Sequence, residues 1–213
     1  MKEQCATPVL DEGTEAVDED QRAEERRRAL AERMSQLHIS RSSELPRLDL
    51  YLDQLLSFVS QELSFMQLPD EGPLVTGSMV NNYVKLHVLP APIKHRYTRK
   101  HVAVLICVCA FKRVFSISQV AKVVHMVSRE DVDEFQVYDE LCSALECSLA
   151  EQFAVSPEFV VPAVEPEIHL VSKHEGKSLT LLERTLEASV VSLASKIYVD
   201  QLLATDSTDS SSN

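Results

Sequence analysis

The feature that most constrains the fold is the spacing of apolar residues, which recur every three or four positions over most of the chain. One such segment runs from Leu48 to Leu63, and another runs from Leu179 to Ile197. This period places the apolar side chains on one face of an α-helix, whereas a half-buried strand would alternate at every second position. The spacing therefore predicts a mainly α fold in which each helix buries one face.

Capping residues and prolines set the ends of the predicted helices. Ser78 and Thr98 are favoured N-cap types, Ser116 followed by Gln119 forms a capping box, and Pro90 cannot continue a helix. These signals predict helices over residues 48–63, 79–87, 99–113, 117–126, 130–153 and 176–203. The Glu/Arg pairs of residues 20–37 predict a marginal, solvated surface helix, and residues 1–20 and 205–213 lack periodicity and are predicted to be disordered.

Charge is distributed unevenly along the chain. The 58 residues from Gly72 to Arg129 contain no Asp or Glu but nine Lys or Arg residues, whereas the chain as a whole has a formal charge of −12. The other residues carry 12 bases and 33 acids, a net charge of −21. A local excess of positive charge within an acidic protein predicts a surface for an anionic partner, and a phosphate backbone is the first candidate.

Composition argues against several other classes of protein. The four glycines are too few and too scattered for a phosphate-binding loop, and the five cysteines include no CxxC pair. No hydrolase or metalloprotease motif is present. We therefore expect no catalytic residue, no metal ligand, no cofactor and no enzymatic activity. The acidic, polar first residues and the lack of an apolar run long enough to span a bilayer lead us to expect no signal peptide and a cytoplasmic protein without membrane contact.

The order of the segments is that of a helix-turn-helix followed by a wing: helix, loop, short helix, proline stop, basic excursion and two further helices. The short helix would place Asn81, Asn82 and Lys85 in the major groove of DNA, where an asparagine amide can pair with adenine. The predicted phosphate contacts come from the basic residues of the wing, which are Lys94, Arg96, Arg99 and Lys100.

Each of these assignments has an alternative. The asparagines could instead brace the local backbone, and the basic face could pair with acidic segments of the same chain. Tyr97 is included among the DNA-binding candidates, although packing beneath the wing is the more favoured position for its ring. His95 and His101 are expected to be exposed to solvent.

Three separated motifs resemble known families. They are Met79-Val-Asn-Asn-Tyr-Val-Lys-Leu-His-Val-Leu-Pro90, Arg96-Tyr-Thr98 and Phe115-Ser-Ile-Ser-Gln-Val-Ala-Lys-Val-Val124. In this order they resemble the winged helix of MerR-type regulators, with His87 and Val114 where that pattern has glycines. Leu50-Tyr-Leu-Asp-Gln54 and Met79-Val-Asn-Asn-Tyr83 resemble more closely the bacterial domain-of-unknown-function family eighteen thirty-six, which is itself similar to MerR.

The resemblance implies a MerR-like winged-helix domain over residues 45–127. It is preceded by an acidic leader and marginal helix over 1–44 and followed by a helical extension over 128–204 and a disordered tail over 205–213. The expected function is DNA-binding transcriptional regulation, with double-stranded DNA as the partner and a possible homodimer formed through the C-terminal helices. The alternative is a protein-interaction module that uses the same basic face.

Overall fold

Seven α-helices make up most of the computed structural model, which describes residues 12–130, 132–154, 166–173 and 179–207. The helices are α1 (Glu12–Ser35), α2 (Leu52–Glu62), α3 (Gly77–Lys85), α4 (Arg99–Phe111), α5 (Ile117–Arg129), α6 (Glu134–Gln152) and α7 (Thr180–Ser207), and a 3₁₀ turn (Ser64–Met66) follows α2. The described residues contain isolated β-bridges but no strand. The predicted helical class is confirmed.

Helix α4 occupies the centre of the fold. Nine of its 13 residues are buried, His101 among them, and it packs on α2, α6 and α7. On one side α2 contributes Leu55 and Val59, and α3 contributes Val80 and Tyr83. On the other side α6 and α7 pack along each other, and α1 packs against both. Burial on all sides explains why α4 has an almost continuous apolar sequence rather than a narrow stripe.

Most helix boundaries differ by a few residues from the sequence prediction, and α6, predicted from residue 130, begins at Glu134 with Asp133 as its N-cap. The starts of α2 and α3 each have a clear cause. Helix α2 begins at Leu52, and Leu48, which was expected on its buried face, is 82% exposed. The cause is pairing of the preceding segment with Tyr97, since Leu50 exchanges two backbone hydrogen bonds with that residue. Helix α3 begins earlier than expected because Thr76, not Ser78, accepts the hydrogen bond from the Met79 amide.

The N-terminal helix is longer and more deeply packed than the sequence suggested. It starts at Glu12, within the segment predicted to be disordered, and Leu30 and Met34 are buried where it packs on α6 and α7. The predicted solvated helix is therefore part of the fold. At the other end, α7 extends to Ser207. The remaining predictions of disorder concern residues 1–11 and 208–213, which lie outside the described residues.

The expected wing is not present in the described residues, which is a correction to the predicted winged-helix fold. Between Pro92 and Thr98 the chain makes one two-residue turn at Lys94–His95, closed by two hydrogen bonds between Ile93 and Arg96. Since α4 begins at Arg99, too few residues remain for a pair of strands.

Partly buried ion pairs and hydrogen bonds connect distant parts of the chain. Arg113, after α4, donates to Glu71 at 2.9 and 3.1 Å and to Asp200 of α7 at 3.0 Å. Arg41 binds Glu146 of α6 through two hydrogen bonds. The Ser42 amide and hydroxyl both donate to Asp139, each at 2.6 Å. These contacts fix the segment before α2, and also α7, to the helices of the centre.

No helix among the described residues is long and apolar enough to cross a membrane.

Candidate nucleic-acid interface

The exposed face of α3 carries the residues predicted to enter the groove. Val80 and Tyr83 are buried on its inner side, whereas Asn81, Asn82 and Lys85 are exposed on its outer side. This division follows from the helical period, which places the two apolar residues on one face and the three polar residues on the opposite face. The predicted arrangement of this helix is confirmed.

Helix α3 ends in a backbone conformation that usually requires glycine. Its C-cap is Leu86, and His87 then has a positive φ of 55°. The amides of Val88 and Leu89 both donate to the Tyr83 carbonyl, at 2.9 and 3.1 Å. A left-handed residue directly after the C-cap closes helices of this type, and glycine adopts it most easily. His87 is thus held in a conformation that costs about 1–2 kcal/mol for a non-glycine residue.

The turn at Lys94–His95 places two exposed side chains at its tip. Both residues have positive φ values, 50° and 60°, and Ile93 and Arg96 exchange hydrogen bonds of 3.1 and 2.9 Å beneath them. This geometry matches a type I′ turn, for which Asn-Gly is the favoured sequence. A lysine and a histidine therefore occupy positions where local backbone preference alone would favour smaller residues.

Arg96 is engaged within the protein. Its guanidinium carbon lies 3.5 Å from the centre of the Tyr51 ring, and the guanidinium also donates to the Tyr51 hydroxyl and, at 3.4 Å, to the Asp49 carbonyl. A cation over an exposed aromatic ring contributes about 0.5–1 kcal/mol. Arg96 therefore holds the turn against the segment before α2.

Tyr97 and His101 lie below this surface. Tyr97 is 5% exposed and meets the ring of His101 edge-on, so the structure does not place its ring where DNA could reach it. His101 was expected to be exposed but is buried. Its Nδ1 accepts from the Thr98 amide at 3.0 Å, and its Nε2 donates to the Ala91 carbonyl at 3.3 Å. Burial lowers the pKa of this imidazole, which favours the neutral ring that these two bonds require.

The remaining basic candidates differ in their partners. Lys100 pairs with Glu134 at the start of α6, just beyond the acid-free run, and Arg99 is half-buried. Lys85 and Lys94 are exposed, and neither has an ion-pair partner among the described residues. Of the eight predicted site residues, Asn81, Asn82, Lys85 and Lys94 are thus available at the surface without an internal charge partner. The positive φ values at 87, 94 and 95 were not predicted. The available signal was at His87, where the MerR-type pattern has a glycine.

Residues 40–141 match the family model described as "Domain of unknown function (DUF1836)", so the chain contains a DUF1836 domain over this range. The matched range runs from the segment before α2 into α6, and it therefore includes both Ser42 and its partner Asp139. The match confirms the resemblance to that domain family but gives no support to the likeness to MerR. No curated protein and no solved structure matches the chain.

Proposed function

We propose that the protein binds double-stranded DNA as a transcriptional regulator, without catalysing a reaction and without a cofactor. In this proposal α2 and α3 act as a helix-turn-helix similar to that of MerR-type regulators. The outer face of α3 enters the major groove, and the Lys94–His95 turn takes the place of the wing against the phosphate backbone. Asn81 and Asn82 contact base edges, and Lys85 and Lys94 neutralise phosphates.

The observation that carries the proposal is that Lys85 and Lys94, exposed lysines without ion-pair partners among the described residues, lie at or near residues with a positive φ. His87, Lys94 and His95 are the non-glycine residues with positive φ in the described chain, and all three lie within or beside this surface. Strained backbone positions tend to persist where a side chain serves function. Lys94 combines such a position with an exposed ammonium group in a segment free of acids, which favours contact with an anion over a structural role.

The direct test compares the duplex affinity of the wild type with that of a double charge-reversal variant, Lys85→Glu with Lys94→Glu. Fluorescence anisotropy would measure both affinities as a function of salt concentration. Each lysine that contacts a phosphate contributes about one unit to the slope of log K against log salt. The double variant should bind at least tenfold more weakly, and its slope should be flatter by about two units.

The matched control is Lys112→Glu with Lys122→Glu. These lysines are also exposed, lie in the same acid-free run and have no ion-pair partner among the described residues. The control changes the net charge by the same amount, away from α3 and the turn. Equal loss of affinity in the two variants, or no duplex binding by the wild type at low salt, would contradict the proposal.

A homodimer through α7 is a further part of this proposal. Leu181, Val199 and Leu203 are exposed on this helix, at 75%, 48% and 60%. A two-fold dimer would place two copies of α3 on a pseudo-palindromic site. Sedimentation should then show a dimer at micromolar concentration for the wild type and a monomer for Val199→Ser with Leu203→Ser. A monomeric wild type would remove this part of the proposal and leave duplex binding by one copy.

A second candidate is supported by a separate observation. Leu48, Tyr51 and Ile93 are exposed large apolar residues, and all three come from the two segments that pair beside the turn. Aromatic and aliphatic side chains beside cations are common at protein interfaces. The alternative function is therefore docking of an acidic, partly apolar protein partner. An acidic peptide with aromatic residues that binds more tightly than duplex DNA, and loses binding with Leu48→Ser and Ile93→Ser, would favour it.

A further inference from the structure

Helices α4, α5 and α6 line a cavity of about 90 Å³ that is partly open to solvent and lies apart from α3 and the Lys94–His95 turn. Leu186 and Ser189 of α7 also reach its wall. Its lining is formed mainly by aliphatic and aromatic side chains, among them Ala103, Val104, Val120, Val124, Phe135 and Leu141. The apolar part of this lining offers a water molecule none of the two to four hydrogen bonds that it normally makes in a protein interior.

Helix α5 forms the least tightly packed wall of this cavity. Only Val120 among its residues is fully buried, whereas Val123, Val124 and Val127, which also line the cavity, remain partly exposed. An amphipathic helix normally buries its apolar face against the core. The incomplete burial of α5 means that its apolar face lacks part of its packing where the cavity lies.

The few polar groups in the wall already have partners. Each of the five polar side chains makes an ion pair or hydrogen bond within the protein. Lys100 and Glu134 pair with each other, and the hydroxyls of Ser128, Ser189 and Tyr138 donate to the carbonyls of Val124, Thr185 and Ser40. Burial raises the pKa of the Cys107 thiol in the same wall to about 12, so it is neutral at physiological pH. A charged or strongly polar ligand would find no unpartnered group to bind.

We propose that this cavity binds a small, uncharged, apolar molecule about the size of a single aromatic ring. A dry cavity of about 150 Å³ lined by Leu, Ile and Phe binds benzene in an engineered protein. The cavity here is somewhat smaller, and a slight outward shift of α5 would enlarge it enough to hold an aromatic ring. A peptide helix is too large for it. The proposal is independent of DNA binding, because none of its lining residues belongs to α3 or to the Lys94–His95 turn.

The test is titration of the full chain with toluene, followed by methyl NMR and by thermal unfolding. Saturable chemical-shift changes are expected for the methyl groups of Val104, Val124 and Leu141, and Tm should rise with toluene concentration because the ligand binds only the folded state. Benzoate carries the same ring with a negative charge. At equal concentration it should produce neither change.

Ala103→Leu extends a side chain into the cavity and should abolish the toluene response. Ala188→Leu adds the same carbons on the exposed side of α7 and should leave the response intact. Cys107→Leu replaces Ala103→Leu if that variant does not fold. The proposal is wrong if toluene produces no saturable shift at the lining residues, if the filled variant responds like the wild type, or if benzoate binds as tightly as toluene.

Discussion

Two arginines on one side of α4 and two lysines on the other are used in opposite ways. On the side of α6 and α7, Arg41 and Arg113 are each held by carboxylates, and their side chains are 25% and 11% exposed. On the side of α3, Lys85 and Lys94 are exposed without a charge partner among the described residues. The contrast separates cations that stabilise the fold from cations that are available to a ligand. Substitutions on the two sides should therefore affect different measurements.

The largest effect is expected at Arg113. Arg113→Met removes the guanidinium that binds Glu71 and Asp200, and leaves two carboxylates close together and without that cation. Breaking a buried ion pair from one side costs about 3–5 kcal/mol, and we expect about 2–3 kcal/mol because Glu71 is partly exposed and Asp200 still pairs with Lys196. Urea denaturation would measure the loss. Lys112→Met, at the exposed neighbouring position, should change stability by less than about 0.5 kcal/mol. Equal effects at 112 and 113 would show that the ion pairs add nothing.

A smaller effect of the opposite sign is expected at the turn. Lys94→Asn with His95→Gly supplies the favoured sequence of a type I′ turn. It should raise the free energy of unfolding by about 1–2 kcal/mol, because asparagine tolerates the left-handed conformation better than lysine and glycine adopts it without steric strain. The same variant removes an exposed lysine from the candidate interface, so its duplex affinity should fall while its stability rises. A variant that is both more stable and equally tight in DNA binding would remove the turn from the proposed interface.

The end of α3 offers a third comparison. His87→Gly should stabilise the protein by about 1 kcal/mol, since glycine adopts the left-handed conformation after a helix without steric strain. Leu86→Gly, one residue earlier at a φ of −83°, should instead destabilise it by roughly 0.5–1 kcal/mol through the greater flexibility of the unfolded chain. Chemical denaturation of both variants would test this. Stability changes of the same sign at 86 and 87 would contradict the conclusion that His87 is strained after the helix.

The helices on the two sides of α4 also differ in how far their burial could be predicted from the sequence. Helical periodicity predicted α4 and the division of α3 into buried and exposed faces, because 3.6-residue spacing is a local property. It could not predict the burial of Leu30 and Met34, since the two faces that cover them belong to α6 and α7, more than 100 residues later. Leu48 fitted the same period but is exposed, because pairing of Leu50 with Tyr97 competes with helix formation.

The candidate site was predictable in part for the same reason. Absence of acids over residues 72–129 located the basic surface without any structural information. It could not distinguish Lys85 and Lys94 from Lys100, because Glu134, the partner of Lys100, lies outside the run and meets it only in three dimensions. Burial of His101 was missed because its partner, the Ala91 carbonyl, lies in a loop without periodic pattern.

The smallest expected effect is a change of stability with pH caused by His101. Burial lowers the pKa of its imidazole in the folded state, and Asp49 and Lys100 are the charged groups that act on it. Since the unfolded chain has an ordinary histidine pKa of about 6.5, the unfolded state takes up a proton first as the pH falls. The stability contributed by neutral His101 is therefore fully present above about pH 6.5 and is lost as the pH falls through the folded-state pKa.

His101→Gln keeps an N3 side chain that can complete the capping box with Thr98 but cannot ionise. Its free energy of unfolding should change less with pH between about 6.5 and 5 than that of the wild type. Burial raises the pKa values of Glu71 and Asp200, but their cationic partners lower both pKa values overall. The stability that these carboxylates contribute is therefore lost only at more acidic pH. Urea titrations at several pH values would separate the two ranges. Parallel curves for wild type and variant down to pH 5 would show that His101 contributes no pH-dependent stability in this range.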